Sequence, residues 1–294
     1  MGQKIFIVIV NYDGLVYTRD CLKSLEKIKK ENLEVETVVV DNASREDELS
    51  VIKKEFPAVK TIKSKENLGF TGGNNLGFGY AVGKEADFIL LLNNDTVVEE
   101  GFLAELVDFF QKNKKAGIVG SALLMKEDGQ EKYDLGGYLT SFGRTYHKHT
   151  SNVKKISPRQ VNYVCGASLM VKREVVEKIG FLDENYFWGY EDVDFCQRVR
   201  QAGYEVWLDS NSVVEHKVGG AIKATPNYKI YYNLRNNLLF IGKYFNFFQQ
   251  LLAYIYLVLL SIKILLNQPR NCRAVYRAWG DFISRRFGKL KLSI

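Results

Sequence analysis

Paired cysteines are missing from this chain. Its four, Cys21, Cys165, Cys196 and Cys272, are scattered, with no Cys-x-x-Cys among them. That pattern argues against a zinc site or a disulfide framework and suits a reducing cytosol. The opening apolar run, Ile5 to Val10, is too short for a signal peptide. Gly2 is no myristoylation signal either, because Phe6 stands where Ser or Thr is required. The expectation is a cytoplasmic catalytic part. Gly-x-Gly-x-x-Gly is absent after the first apolar run, where Asn11-Tyr12-Asp13-Gly14-Leu15-Val16 stands instead. A dinucleotide-dependent oxidoreductase is therefore disfavoured.

Acid is almost missing from the last quarter. Residues 217–294 hold 13 Lys and Arg against one acid, Asp281, while residues 1–216 hold 28 against 33, so the net +7 comes from the tail. A basic tail fits nucleic acid or a membrane surface. Its apolar content favours the membrane: no charge falls between Tyr244 and Ile262, and Leu251 to Leu260 is wholly apolar or aromatic. Those 19 residues would make a helix of ~28 Å, barely enough to cross hydrocarbon. Asn246, Gln249 and Gln250 shorten its useful length. Basic residues flank both ends, Lys243 before and Lys263, Arg270, Arg273 and Arg277 after. Symmetric flanks suit a helix lying in the interface better than one that spans. A spanning helix and a helix buried on the catalytic domain are the alternatives. The expected layout is a catalytic domain over 1–240 and a basic, apolar helical tail over 241–294, peripheral on the inner face of the cell membrane. No nucleic-acid partner is expected.

The first half alternates strand and helix patterns. Lys4–Asn11 is a β-branched run fit for a buried parallel strand. Leu22, Leu25 and Ile28 space a helix over 18–29, and a second strand, 34–41, stops at Asp41. A helix follows over 44–56 with Ser44 as its N-cap, then a short strand over 59–63, a helix over 70–82 and a strand over 87–92. Such alternation implies an α/β fold, a mainly parallel sheet covered by helices, with ligands beyond the carboxyl ends of the strands.

Polar residues fall at those ends. Strand one finishes in Asn11-Tyr12-Asp13-Gly14 and strand two in Asp41-Asn42-Ala43-Ser44. An aromatic and an acid there suit a nucleoside base and its ribose. The stretch Asn67-Leu68-Gly69-Phe70-Thr71-Gly72-Gly73-Asn74-Asn75 opens a helix with free amides, which suits phosphate or sugar hydroxyls. Leu90-Leu91-Leu92 runs into Asn93-Asn94-Asp95, which puts a carboxylate where a metal and a diphosphate can meet it. About a hundred residues on, Glu191, Asp192 and Asp194 follow Trp188 and Tyr190 and can supply a base for an alcohol. Residue 192 falls about 100° around a helix from the face shared by 191, 194 and 195.

These residues carry a resemblance. The chain resembles the family 2 inverting glycosyltransferases of GT-A fold, and most of all their rhamnosyltransferase branch. The matching segments include Val40-Asp41-Asn42-Ala43-Ser44, Asn67-Leu68-Gly69-Phe70, Leu91-Leu92-Asn93-Asn94-Asp95, Gly166-Ala167-Ser168, Glu191-Asp192-Val193-Asp194 and Tyr231-Tyr232-Asn233-Leu234-Arg235-Asn236. The likeness covers roughly 4–240 in order and thins over 126–160 and beyond 245.

The resemblance implies a nucleoside diphosphate sugar donor, best a dTDP-rhamnose, with UDP-hexose or UDP-galactofuranose as the alternative. The acceptor it implies is a hydroxyl on a cell-surface glycan or lipid-linked intermediate. Asp95 matches the last acid of a metal-binding Asp-x-Asp that holds Mg²⁺ or Mn²⁺. Asn93 stands where that motif has its first acid, and an amide is a weaker ligand for a hard cation. His216 matches a further metal ligand, and Asp192 matches the catalytic base. Donor binding is assigned to Asn11, Tyr12, Asp41, Asn42, Asn67, Gly69, Phe70, Asn74, Asn93, Asn94, Asp95 and Arg235. Acceptor binding is assigned to Trp188, Tyr190 and Glu191, with Trp188 and Tyr190 equally placed for a core. Arg235 suits either a donor phosphate or docking of the tail. The polar, glycine-spotted stretch 126–160 reads as a variable acceptor loop, with His147 and His149 on its surface. No Gln-x-x-Arg-Trp follows Asp192, and no cluster of apolar spans is present, which argues against a processive synthase. A catalytically silent membrane-docking module of the same fold is the rival from another class.

Overall fold

The β-branched runs form the centre of one sheet. In the computed structural model, described over residues 2–30, 32–127, 129–217 and 226–290, the first strand is β1 (Gln3–Asn11), with every residue from Ile5 to Ile9 buried. Helix α1 (Leu15–Leu25), strand β2 (Leu33–Asp41), helix α2 (Glu48–Glu55), strand β3 (Lys60–Lys63), helix α3 (Gly69–Gly83) and strand β4 (Phe88–Leu92) follow. They give the parallel order β3-β2-β1-β4. Asn11 lies opposite Asp41 in register, so two polar tips stand side by side. Ser44 does not cap α2. Its hydroxyl is taken by Asn11 and Asp41 (3.2 and 2.5 Å), and Asp47 caps the helix by accepting from the Ser50 amide.

The second half is mixed rather than parallel. It comprises β5 (Thr96–Val98), α4 (Phe102–Lys112), β6 (Ala116–Glu127), β7 (Gln130–Leu139), β8 (Thr145–Thr150) and β9 (Arg159–Gln160). Then come β10 (Ser168–Lys172), α5 (Arg173–Ile179), α6 (Glu191–Gln201) and β11 (Glu205–His216). Strand β10 enters antiparallel between β4 and β6, and β11 runs parallel to β6 and antiparallel to β5. The sheet thereby carries on past β4 and returns His216 opposite Thr96, beside the Asn-Asn-Asp tip. The expected loop over 126–160 is largely an antiparallel hairpin, β7 on β8. Two apolar clusters fill the two sides of the sheet, one around Phe6, Val8 and Phe78, the other around Ile7, Leu90 and Phe102.

The tail helices are α7 (Pro226–Tyr244), α8 (Phe247–Asn267) and α9 (Cys272–Ile283). Helix α7 runs across residue 240, and the chain turns at Phe245 and Asn246, where Asn246 and Gln249 form a reciprocal capping box. A third apolar cluster joins Phe187 to α7, α8 and α9, through Tyr232, Leu257 and Val275 among others. Residues 291–294 of the tail and 218–225 of the catalytic part lie outside the described residues.

Gly69 shows how tightly the two halves meet. Its φ of +74° favours glycine, and a Cβ there would lie 2.2 Å from the Phe187 carbonyl oxygen. The Phe70 amide donates to that same oxygen at 3.0 Å, and the Thr71 hydroxyl donates to the Tyr186 carbonyl.

Candidate active site

At the β1 and β2 tips the polar side chains bind one another. Asn11, fully buried, donates to Asp41 Oδ1, Ser44 Oγ and Glu48 Oε2, the last at 2.7 Å. The Gly14 amide donates to the same Glu48 oxygen at 3.1 Å. Tyr12 stays half-buried at the rim, within electrostatic reach of Tyr228 on α7. Asn42 accepts from the Leu68 amide and donates to the Gly69 carbonyl, while Asn67 Oδ1 accepts from the Gly69 amide. Asn74 is buried and donates to the Phe70 carbonyl, and Asn94 is buried and donates to Thr18. Asn11, Asn42, Asn74 and Asn94 therefore shape the site's walls. Tyr12, Asn67, Phe70 and Asn93 retain exposure toward solvent. Glu48 was absent from the sequence reading. The signal that finds it is the spacing of an acid in the first turn of α2, directly behind Asp41.

The β4 tip carries the second feature. Asp95 is buried, and its Oδ1 has no hydrogen-bond partner, although His216 Nε2 lies 3.2 Å away. Asn93 Nδ2 lies 3.4 Å from the same Nε2. An imidazole nitrogen and an unpartnered carboxylate oxygen therefore face one space. That donor set fits a divalent cation. Among the described residues no group of three or more His, Cys, Asp or Glu gathers as ligands. One or two carboxylates are what Mg²⁺ commonly takes from protein when phosphates and water complete the shell, and Asp95 supplies one.

The third feature is the start of α6, which Tyr190 opens with φ +72°. Asp192 is half-exposed, and its carboxylate accepts from the Gly166 amide at 3.1 Å and its neighbour Val193's amide at 2.8 Å. Burial pushes its carboxyl up, and those two amides oppose the shift. Glu191 is buried with Oε2 unpartnered. Burial, and then the charge on Asp192, push it well above the usual carboxylate range. Asp194 is fully buried and paired: Arg198 at 2.9 Å, Tyr244 at 2.7 Å and Lys243. It ties α6 to the end of α7.

A single short segment joins these features. The Asn93 amide donates to the Ala167 carbonyl at 3.1 Å, and the preceding residue, Gly166, holds Asp192.

Three assignments change. Arg235 is only 1% exposed, and its guanidinium is spent on Asn236, Tyr231 and the carbonyls of Asn185 and Gly288. It docks the tail and is closed to a donor phosphate. Tyr190 is buried with its hydroxyl bonded to Asn237 at 2.6 Å, so it packs in the core instead of stacking on a sugar. His147 is only partly a surface residue, its side chain 28% exposed and held against Tyr163 and Asp134. Trp188 is half-buried against Tyr228 and Tyr232.

A sheet that gathers an acid–imidazole pair and a second, sequence-distant carboxylate at its carboxyl edge defines an α/β group-transfer enzyme. The family comparison gives the class its name. The sequence model of glycosyl transferase family 2 matches residues 6–180, and that of the N-terminal domain of galactosyltransferase matches 147–222. The chain belongs to glycosyl transferase family 2.

It is 26% identical over 254 residues to the dTDP-rhamnosyl transferase RfbF of Shigella flexneri, covering 83% of this chain and 81% of that protein. It is 25% identical to the low-salt glycan biosynthesis hexosyltransferase Agl10 of Haloferax volcanii, covering 81% and 76%. An N-acetylglucosaminyl-diphospho-decaprenol L-rhamnosyltransferase of Mycobacterium tuberculosis is 24% identical, covering 72% and 75%. The fold is similar to that of GalNAc-T7 solved with UDP, GalNAc and Mn²⁺, at TM-score 0.62, 18% identity and 80% of this chain. It is also similar to residues 1–349 of S. aureus TarS with UDP, at TM-score 0.56, 17% identity and 81% of this chain. This chain spans 51% of the former and 65% of the latter.

The buried Glu191 sets a pH dependence of stability. Its folded pKa is raised, so the folded state binds the extra proton and stability falls as pH rises above the unfolded value, about 4.3. Glu191→Gln removes that loss. It should gain on the order of 1–2 kcal/mol over wild type at pH 7 and nothing at pH 4, read by urea unfolding at both pH values. An equal change at both would contradict the burial of an ionisable group there.

Proposed function

We propose that the chain is an inverting, non-processive glycosyltransferase taking its sugar from a nucleoside diphosphate. The observation that carries this is the Gly166–Ala167 link, which ties Asp192 and Asn93, two residues before Asp95, to one short segment. Rhamnose from dTDP-rhamnose is the favoured sugar, because two of the relatives above are rhamnosyl transferases. A UDP-hexose is the second reading, favoured by the hexosyltransferase relative and the UDP in both solved neighbours.

Tyr12 and Asp41 flank the nucleoside, and the Asn67–Phe70 turn lies beside the sugar. Asp95 and His216 would hold Mg²⁺ or Mn²⁺, which when bound offsets the charge of the departing diphosphate. Asp192 takes the proton from an acceptor hydroxyl as that oxygen attacks the anomeric carbon. The bond to the diphosphate breaks on the opposite face, so the configuration inverts. The raised pKa of Asp192 makes it a stronger base than a solvated carboxylate. Trp188, beside the base, offers an aromatic face to the acceptor.

The acceptor is a glycan or lipid-linked hydroxyl at the inner membrane face, and the tail is the membrane contact. Helix α8 is 21 residues long, and an 18-residue stretch of it has mean hydropathy 1.8. Ala253, Leu257 and Ser261 turn inward on the third cluster, while Phe248, Leu252, Ile255, Leu259, Ile262 and Leu266 are exposed. One face is thus committed to α7 and α9, and leaving them to span a bilayer would uncover that cluster. The exposed apolar face with its basic surroundings suits a helix lying in the interface.

Asp192→Asn should lower transfer from dTDP-rhamnose or a UDP-hexose to a membrane lipid extract by about 10²–10⁴. Nucleotide affinity should be unchanged. Retained transfer would remove Asp192 as the base. For the tail, Phe248→Ser with Leu252→Ser and Leu259→Ser should move the protein off vesicles of anionic lipid in flotation. Unchanged flotation would remove α8 as the contact.

A further inference from the structure

Helix α6 opens with three acids, and the fold neutralises two of them. Asp194 is paired with cations, and Glu191 is driven toward its neutral form. Asp192 must stay ionised to act as base, yet its direct partners are two backbone amides. An imidazole within electrostatic reach of Asp192 stands on the β7–β8 hairpin.

There His147 is held from both ring nitrogens. Its Nδ1 lies 2.6 Å from Asp134 Oδ2, a carboxylate–imidazole contact. Its Nε2 lies 2.7 Å from the Tyr163 hydroxyl. Asp134 is itself fixed, because its Oδ1 accepts from the Gly136 amide at 2.8 Å. Tyr163 is fixed by a backbone bridge to Gly137, where a Cβ would meet the phenol ring at 2.0 Å. Three residues past Tyr163 comes Gly166, whose amide holds Asp192.

We propose that His147 is a positioning residue for the base. Clamped between Asp134 and Tyr163, its imidazolium supplies the charge that keeps Asp192 a carboxylate among buried acids.

The titratable groups around the pair are consistent with this role. Burial pushes the imidazole down, but Asp134, with Asp192 behind it, outweighs burial, and the net direction is up. Conversely, His147 is the one cation among the named influences on Asp192, and it draws that carboxyl down. Tyr163 is pushed well up by burial and by Asp192, so it stays a phenol that accepts the Nε2 proton. Cys165 is likewise pushed up and stays a thiol. His149 stands on the same strand, its ring 6.4 Å from that of His147. With a raised pKa the cation is present at low pH and lost as pH rises through the folded value. It therefore acts where it is needed, on the acidic side of the base's own titration.

The proposal rests on Asp192 as base, but its first test does not need activity. The chain has three histidines, so ring carbon-bound proton signals of the full chain in detergent micelles can be assigned with His147→Gln. The His147 midpoint should lie above about 6.5 and fall by roughly half to one unit in Asp192→Asn, and further in Asp134→Asn. A midpoint unmoved by Asp192→Asn overturns the proposal. In the second test, His147→Gln should move the acidic limb of the transfer rate profile up by about half to one pH unit. A uniform fall in rate at every pH, with the limb unmoved, marks a merely structural residue and overturns it too. If transfer survives Asp192→Asn, the base assignment fails instead, and the histidine midpoints still read the pairing.

Discussion

Three carboxylates within four residues of one helix start cannot all be buried as bare charges. Water is withdrawn from each, and a buried ion left alone costs several kcal/mol. The structure meets this constraint in three ways. Asp194 is neutralised by Arg198 and Lys243, which fastens the tail to the catalytic domain. Glu191 is left without a partner for Oε2 and favours its protonated form. Asp192 keeps part of its surface and two amide donors. The outcome is one partly exposed carboxylate flanked by one that is paired and one that favours its protonated form.

The rest of the fold follows from where that helix must sit. The parallel half brings Asn11 and Asp41 together in register, and β4 ends beside them. Inserting β10 antiparallel to β4 lets one turn, Gly166–Ala167, touch both the β4 tip and the base. Gly69 lets the Asn67–Phe70 turn close on Phe187, immediately ahead of the Trp188 and Gly189 carbonyls that α7 grips through Asn236. Arg235 completes that grip by binding carbonyls of both the 185 loop and the chain after α9. The tail helices, the segment 185–189 and the start of α6 are therefore one packed unit.

Much of this was legible in the chain. Buried parallel strands advertise themselves as unbroken β-branched runs, and a polar residue that stops such a run marks a strand tip. Hence Asn11, Asp41 and Asp95 could be placed from local pattern alone. The hairpin over 130–150 could not. Its strands are polar, glycine-containing and partly exposed, so no alternation reveals them. His147 looked solvated because its neighbours are lysine and histidine, while the groups that hold it, Asp134 and Tyr163, come from other strands and loops. Arg235 and Tyr190 failed in the opposite sense. Each sits in a motif-like stretch, but burial among carbonyls and amides commits its polar atoms to the fold. Ser44 lost its capping role for the same reason, since a nearer network claimed its hydroxyl.

The central claim is that the Asp95–His216 pair and the strand tips around it form a metal-dependent nucleotide-sugar site. Calorimetric titration with UDP, dTDP and GDP, each with and without Mn²⁺, on wild type and Asp95→Ala tests it most directly. The account predicts that one nucleotide binds only with the metal and that the substitution abolishes this binding. A preference for dTDP would support rhamnose, and a preference for UDP the hexose reading. Binding that ignores both the metal and Asp95, or no binding to any nucleotide, would contradict the account.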